Sequence, residues 1–375
     1  MHKNSKVLFL TLHTFSLTGG IEKVSKTFAK TLDDLKVSGQ IKSYRVLSMY
    51  DNLADQKYIP QDKFKGYKGN RYAFGLAAVS KGIKADTLII SHIHLLLFAG
   101  IVKKLKPNIR IVLFAHGIEI WNPVSNWKKQ LLNKTEIWAV SQYTARQIMI
   151  EHGTQPSQIK VLNNSLDPFF KISNQASKPS SLLNKYSINS GQKVLLTICR
   201  LSSAEQYKGY DLVIKSLRQV IKIYPDLVYI LVGKADATES SRLNILIEES
   251  GLKNNIILTG FITDQELNLH YQLADVFIMP SKAEGFGLVF IEAAAHGCTI
   301  IGGNADGSPD ALLNGQLGIL IDPTSQAEIE TAILTALPKG KENFNKKRCL
   351  EKFGYEVYKR KVAGLLNKSF NNASI

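Results

Sequence analysis

Residues 276–297 read Val-Phe-Ile-Met-Pro-Ser-Lys-Ala-Glu-Gly-Phe-Gly-Leu-Val-Phe-Ile-Glu-Ala-Ala-Ala-His-Gly. Four apolar residues, Val276–Met279, have the length and composition of a buried strand. Glu284 lies in the turn that follows. Gly285 and Gly287 let the backbone come close to a ligand where a helix, Gly287–His296, begins. Glu292 falls inside that helix, eight residues after Glu284. The helix start offers free N–H groups and the positive end of the helix dipole, both suited to phosphate. A carboxylate in the second turn can reach past the phosphate to the paired hydroxyls of a ribose. The spacing therefore suits a ligand with phosphate in its middle and hydroxyl-bearing sugars on both sides. A glycosidase carboxylate pair is the weaker reading, because a hydrolase needs no phosphate cradle. Either Glu alone would read as a solvated side chain, so the argument rests on the whole string.

The strand–turn–helix unit repeats on both sides of this stretch. Strands are expected at Val7–Leu12, Tyr44–Met49, Thr87–Ile90, Arg110–Phe114, Ile137–Val140 and Ile159–Leu162. The pattern restarts at Lys193–Ile198 and continues through Leu227–Val232, Ile256–Thr259, Val276–Met279, Thr299–Ile301 and Gly318–Ile321. Helical periodicity marks Ile21–Leu35, Arg71–Lys81, Gly209–Tyr224, Glu239–Ser250 and Asp264–Leu273 between them. Such βαβ alternation predicts an α/β chain with two doubly wound, Rossmann-like domains facing across a cleft. The expected divisions are 1–170, a linker at 171–192 rich in Ser, Asn and Lys, 193–350, and a C-terminal helix in 351–375. Ligands of such sheets lie beyond the carboxyl ends of the strands.

With 375 residues, 45% of them hydrophobic, the chain can bury two cores. Three cysteines, Cys199, Cys298 and Cys349, are far apart and give no disulfide framework or metal-ligand spacing. Val7–Leu12 is too short for a signal sequence, and no apolar run reaches a membrane span. A cytoplasmic protein is expected. The net charge of +16 is uneven. Residues 1–180 hold 26 basic and 11 acidic side chains, whereas 181–340 carry a net −5 and 341–370 a net +6. An anionic partner is expected for the basic part.

Glu284-Gly-Phe-Gly with Glu292-Ala resembles the E-x7-E motif of family four retaining glycosyltransferases, which have the GT-B fold. The resemblance runs from the first strand to about Leu366. Cys199-Arg200-Leu201 and Lys208-Gly209 are similar to the family's Gly-Arg-Leu and Lys-Gly segments, with Cys199 where Gly is usual and a longer loop at Ser202–Tyr207. Gly19-Gly20 resembles the family's glycine loop before the first helix. His116, after Arg110–Phe114, matches the family's active-site His. Gly260-Phe261-Ile262 resembles its base-binding strand end, while Gly307-Ser308-Pro309-Asp310 replaces a more usual Gly-Gly-x-x-Glu and has no assigned role.

The resemblance implies transfer of a sugar from a nucleotide-sugar donor to a hydroxyl acceptor with retention, in the synthesis of a cell-surface or lipid-linked glycan. It implies His116, Arg200, Lys208 and Glu284 as catalytic residues. Gly19, Gly20, Gly260, Phe261, Ile262, Gly285, Phe286, Gly287, Leu288 and Glu292 would bind the donor. Arg200 and Lys208 would neutralise the departing diphosphate. No Asp-x-Asp motif is present, so neither metal nor cofactor is expected. His92 and His94 are weaker acceptor-site candidates. The basic clusters Lys103-Lys104-Lys106-Arg110 and Trp127-Lys128-Lys129 suggest docking on the inner face of an anionic cytoplasmic membrane. Competing readings are a GT-B-like epimerase, a phosphorylase (which lacks a visible pyridoxal phosphate lysine) and a non-catalytic binder of anionic polymers. Nucleic acid is disfavoured, since no recognised module appears.

Overall fold

Short β-branched runs form parallel strands in two separate sheets. The computed structural model describes residues 5–172 and 177–367. The first unit runs to Phe169 and resumes at Phe353, and the second is Phe170–Lys352.

In the first unit the strands are β1 (Lys6–Thr11), β2 (Ser43–Ser48), β3 (Phe64–Gly66), β4 (Thr87–Ile90), β5 (Arg110–Ala115), β6 (Glu136–Ala139) and β7 (Ile159–Val161). Their order is β3-β2-β1-β4-β5-β6-β7. The second unit contains β8 (Val194–Ile198), β9 (Val228–Val232), β10 (Ile256–Gly260), β11 (Val276–Met279), β12 (Thr299–Gly303) and β13 (Ile319–Ile321), ordered β10-β9-β8-β11-β12-β13. Every residue of β4, β9, β11 and β12 is buried, as expected of parallel strands covered by helices on both faces. In each sheet the winding reverses once, between β1 and β4 and between β8 and β11. These are the switch points at which crevices open beyond the strand ends.

Two expectations are corrected. Residues 171–192 are not a plain linker. Residues 173–176 lie outside the described residues, but Ser180–Tyr186 is a helix of the second unit. Leu182 and Ile188 are buried there, Tyr186 donates to His270 Nε2 at 2.8 Å, and Lys178 pairs with Asp275 at 2.7 Å. The Ser, Asn and Lys content hid two anchoring apolar residues. β3 also went unread, because three residues with one buried side chain, Phe64, carry no periodicity.

Near the C-terminus, helix Asn343–Phe353 ends before Gly354, and helix Tyr355–Asn367 packs on helix Gly20–Val37. Tyr355 donates to Asp34 at 2.8 Å, and Lys359 lies 3.7 Å from the same carboxylate. Arg110 holds the far end of this helix. Its guanidinium forks onto Glu136 at 2.9 and 3.0 Å and also donates to the carbonyls of Leu365 and Leu366 at 2.8 and 3.1 Å. Glu136 accepts from the Trp138 indole at 2.8 Å as well.

Glu136 is 3% exposed, so removing it leaves a guanidinium uncompensated. Glu136→Ala is expected to destabilise the first unit by about 3 kcal/mol. Urea denaturation followed by tryptophan fluorescence reads this, and an unchanged midpoint contradicts it.

Candidate active site

The second unit assembles its site where β8 and β11 part. From β8 the chain passes Cys199 and Arg200, loops, and reaches the single turn Gln206–Lys208. From β11 it enters the Glu284 turn. The Lys282 N–H donates to the Tyr207 carbonyl at 2.9 Å, tying the two loops together. Gly209 permits the approach: its φ is +77°, and a Cβ there would lie 2.4 Å from the Pro280 carbonyl oxygen. Lys208 thereby meets Glu284 in a direct ion pair, with the two side chains only 13% and 16% exposed. Burial works against the Lys208 ammonium, but the Glu284 carboxylate outweighs it and raises the pKa above the usual lysine value.

Both partners are held from behind. Buried Glu239 accepts from Tyr210 at 2.7 Å and Gln206 at 3.2 Å, and Arg242 clasps it at 2.6–3.1 Å. Asp236 caps helix Ala237–Ser250 and takes the Ser203 N–H at 2.8 Å, fixing the long loop expected at 202–207. The Glu284 N–H donates to Asp306 at 2.6 Å, and the Glu284 carbonyl accepts from Gly307 at 2.7 Å. Burial pushes the Asp306 carboxyl up to about 6 despite these donors.

The other expected donor residues spread from this centre. Arg200 extends into solvent, 67% exposed, and donates to Glu205 at 2.6 Å. Gly285, Phe286 and Gly287 lead into helix Leu288–Ala295, with Phe286 buried and Gly287 at φ +87°. Glu292 is 4% exposed and turns inward, where it accepts from Tyr271 at 2.8 Å. Gly260 ends the edge strand β10, and Phe261 and Ile262 follow it. The Gly260 carbonyl accepts from Gly233, and the Phe261 ring is 66% exposed.

In the first unit, His116 follows β5 beside the β1/β4 switch. Its Nε2 contacts the Ser91 carbonyl at 2.9 Å, and its own N–H donates to Glu119 at 2.5 Å. A carbonyl can only accept, so the proton is on Nε2 and Nδ1 carries the lone pair. Desolvation lowers the ring pKa to about 4, so His116 is neutral at pH 7. His92 is likewise lowered to about 4 by burial, and it lies against the His94 ring at 4.4 Å. Gly20 opens helix Gly20–Val37 with clear space above it. Over Gly19, however, lies Glu22 Oε2, 2.3 Å from where a Cβ would stand. A phosphate could approach Gly19 only after that carboxylate moves.

Comparison with known proteins now bears on these two sites. The family "Glycosyl transferases group 1" matches residues 181–356, and "Glycosyltransferase Family 4" matches residues 18–169. Together the two models account for most of the chain. Each unit is therefore similar to a glycosyltransferase family. A GDP-mannose-dependent alpha-(1-6)-phosphatidylinositol monomannoside mannosyltransferase of Mycolicibacterium smegmatis is 31% identical over 145 residues, a match spanning only 37% of either chain. An uncharacterized 41.2 kDa protein in the cps region of Klebsiella pneumoniae is 24% identical over 65% of this chain and 68% of its own. Anabaena HepE, solved with UDP-glucose, superposes with a TM-score of 0.78 at 21% identity, covering 96% of this chain and 99% of HepE. That likeness fixes the GT-B fold of the chain and nothing beyond it.

Glu239, Asp306 and Tyr271 escaped the sequence reading. Each acts through another residue, and no spacing announces that. Among the described residues, no group of three or more His, Cys, Asp or Glu side chains is placed to hold a metal ion.

Unfolding returns the His116 ring to about 6.5. The unfolded chain therefore takes up this proton first, and His116 lowers stability as the pH falls from 6.5 towards 4. In ¹⁵N NMR the ring is expected to stay neutral, with Nε2 protonated, down to pH 5. A titration midpoint near 6.5 contradicts the buried, carbonyl-bound ring.

Proposed function

We propose that this protein is a glycosyltransferase that moves a sugar, with retention, from a nucleotide-diphosphate-sugar donor to a hydroxyl acceptor. The observation that carries the reading is the Lys208–Glu284 pair at the β8/β11 switch, beside the glycine turn that opens helix Leu288–Ala295. It brings one cation, one carboxylate and a helix start to one place. The GDP-mannose dependence of the Mycolicibacterium smegmatis relative and the UDP-glucose bound to HepE support the donor class.

In this reading the diphosphate takes the Lys208 ammonium, with Arg200 and the N–H groups that follow Gly287. Glu284, released from Lys208, accepts from sugar hydroxyls. Glu292, with Tyr271 on one oxygen, is assigned to the ribose, and Gly260, Phe261 and Ile262 to the base. The bond from the anomeric carbon to the phosphate oxygen breaks with its electron pair going to the phosphate. The acceptor oxygen bonds the same carbon on the same face. Its proton passes to the departing phosphate oxygen, whose charge Lys208 and Arg200 stabilise. Neutral His116 is assigned to the sugar through its Nδ1 lone pair.

The acceptor is placed at a membrane, on the cytoplasmic side. Helices Arg71–Gly82, Leu96–Leu105 and Asn126–Leu132 pack side by side in the first unit. They carry Arg71, Lys81, Lys103, Lys104, Lys128 and Lys129 and contain no Asp or Glu. Tyr72, Leu76, Leu97, Leu105 and Trp127 are exposed on the same helices. An acid-free basic surface with exposed apolar side chains complements anionic lipid. No helix among the described residues is long and apolar enough to cross a membrane, which leaves surface docking as the mode considered.

A donor panel read by thermal shift identifies the nucleotide sugar, because a ligand of the folded state raises Tm. With that donor, Lys208→Ala is expected to cut transfer by about 100-fold or more, with a lower Tm because buried Glu284 loses its partner but with the chain still folded at the assay temperature. Near-normal turnover overturns the phosphate assignment. NMR of the product reads the anomer, and inversion contradicts the same-face route. Vesicles containing anionic lipid should bind the protein at low salt and release it at high salt, and failure to bind removes the membrane from the account.

A further inference from the structure

The segment after β12, Asn304-Ala305-Asp306-Gly307-Ser308, has no role in the reaction as derived above. Its geometry is nonetheless built around Glu284. Asp306 is 2% exposed, and both of its carboxylate oxygens are used. Oδ2 accepts the Glu284 N–H at 2.6 Å, and Oδ1 accepts the Ser308 N–H at 2.9 Å. The adjacent Gly307 N–H returns a bond to the Glu284 carbonyl at 2.7 Å. The backbone of Glu284 is therefore gripped on both its N–H and its C=O from the neighbouring strand end. The approach is too close for any side chain at 307, where a Cβ would lie 2.1 Å from the Gly285 carbonyl oxygen and 2.7 Å from that of Glu284.

A buried carboxylate is a costly way to hold a loop, since its charge loses solvation. Its use here follows from what must be held. Two N–H donors converge on one side chain, so both of its heavy atoms must accept. An amide of the same shape offers one acceptor and presents an NH2 to the second donor. A dry carboxylate also holds a backbone N–H more firmly than a neutral acceptor does. The Glu284 side chain is gripped as well, by Lys208, but that contact must open when a diphosphate takes the ammonium. The Asp306 contact does not compete with the donor.

We propose that Asp306 is a positioning residue that holds the Glu284 turn in place for the donor sugar, so that Glu284 keeps its direction after Lys208 has moved to the phosphate. The proposal rests on the donor reading above and deepens it. It separates two functions within one site: Lys208 serves the diphosphate, and Asp306, through Glu284, serves the sugar.

The test compares Asp306→Asn with the unchanged protein. Affinities for UDP-glucose against UDP, and for GDP-mannose against GDP, are measured by calorimetry, and amide hydrogen exchange is followed across residues 280–290. In the variant, the free diphosphate is expected to bind within about twofold of normal. The extra affinity contributed by the sugar should disappear, and kcat should fall at least tenfold. The Glu284 amide should exchange faster while β8, β9 and β11 stay protected. Wild-type exchange and wild-type discrimination in the variant overturn the proposal. So does an equal loss of diphosphate and nucleotide-sugar binding together with protection across the whole unit, which marks Asp306 as merely structural. Should the unchanged protein bind neither nucleotide sugar, the donor reading itself has failed, and the exchange rate of the Glu284 amide then decides the grip alone.

Discussion

The Lys208–Glu284 ion pair is the interaction on which the second unit is organised. Neither partner is more than one-sixth exposed, so both pay a desolvation penalty that the pair must recover through close geometry. That geometry comes from backbone that can approach backbone. Gly209 admits the Pro280 carbonyl, and Gly307 admits the carbonyls of Glu284 and Gly285. Buried Glu239 fixes the turn carrying Lys208, while Asp306 fixes the turn carrying Glu284. A pair held in this way keeps a cation and an acceptor ready for a ligand that needs both. In the proposed reaction a diphosphate competes for Lys208 and sugar hydroxyls replace Lys208 at Glu284, so that the partners are exchanged and neither charge is abandoned.

The fold was largely legible because parallel strands buried on both faces are continuous apolar runs. β4 and β11 have the expected limits, Thr87–Ile90 and Val276–Met279, and other strand ends moved by a residue or two. The failures have a common cause. β3 and helix Ser180–Tyr186 are each anchored by one or two apolar side chains, too few to produce a period. The site was legible to the same degree. Glu284 and Lys208 lie beside glycines at strand ends, where chemistry is sought first, and the structure brings them together. Glu292 was read as reaching a ribose, and the structure adds that its buried carboxylate accepts from Tyr271. Spacing along a helix gives a residue's turn and does not give the partner that draws its side chain in. Gly19 was read as open to phosphate, but Glu22 folds back over it, a contact made by a rotamer that the sequence does not specify.

The charge asymmetry acquires a structural basis in the helices of the first unit. Six of its basic residues lie on three adjacent helices that lack any carboxylate, and Lys128 lies 5.7 Å from the Trp127 ring. Helix Tyr355–Asn367 joins the same unit through Asp34 and Arg110, which explains why its own basic excess belongs with the first part of the chain. The second unit holds 19 basic and 19 acidic side chains, and two of its cations, Arg200 and Lys208, lie on the loop after β8. Net charge alone points to an anionic partner for the basic part of the chain, and the proposed function makes that partner lipid.

The central claim is that the Lys208–Glu284 pair opens to receive a nucleotide diphosphate. Crystals grown with UDP or GDP test it most directly. The account predicts diphosphate density against Lys208 Nζ and the N–H groups at the start of helix Leu288–Ala295, with the Glu284 carboxylate freed from the ammonium and its N–H still on Asp306. A diphosphate bound elsewhere, with the ion pair intact, would contradict it.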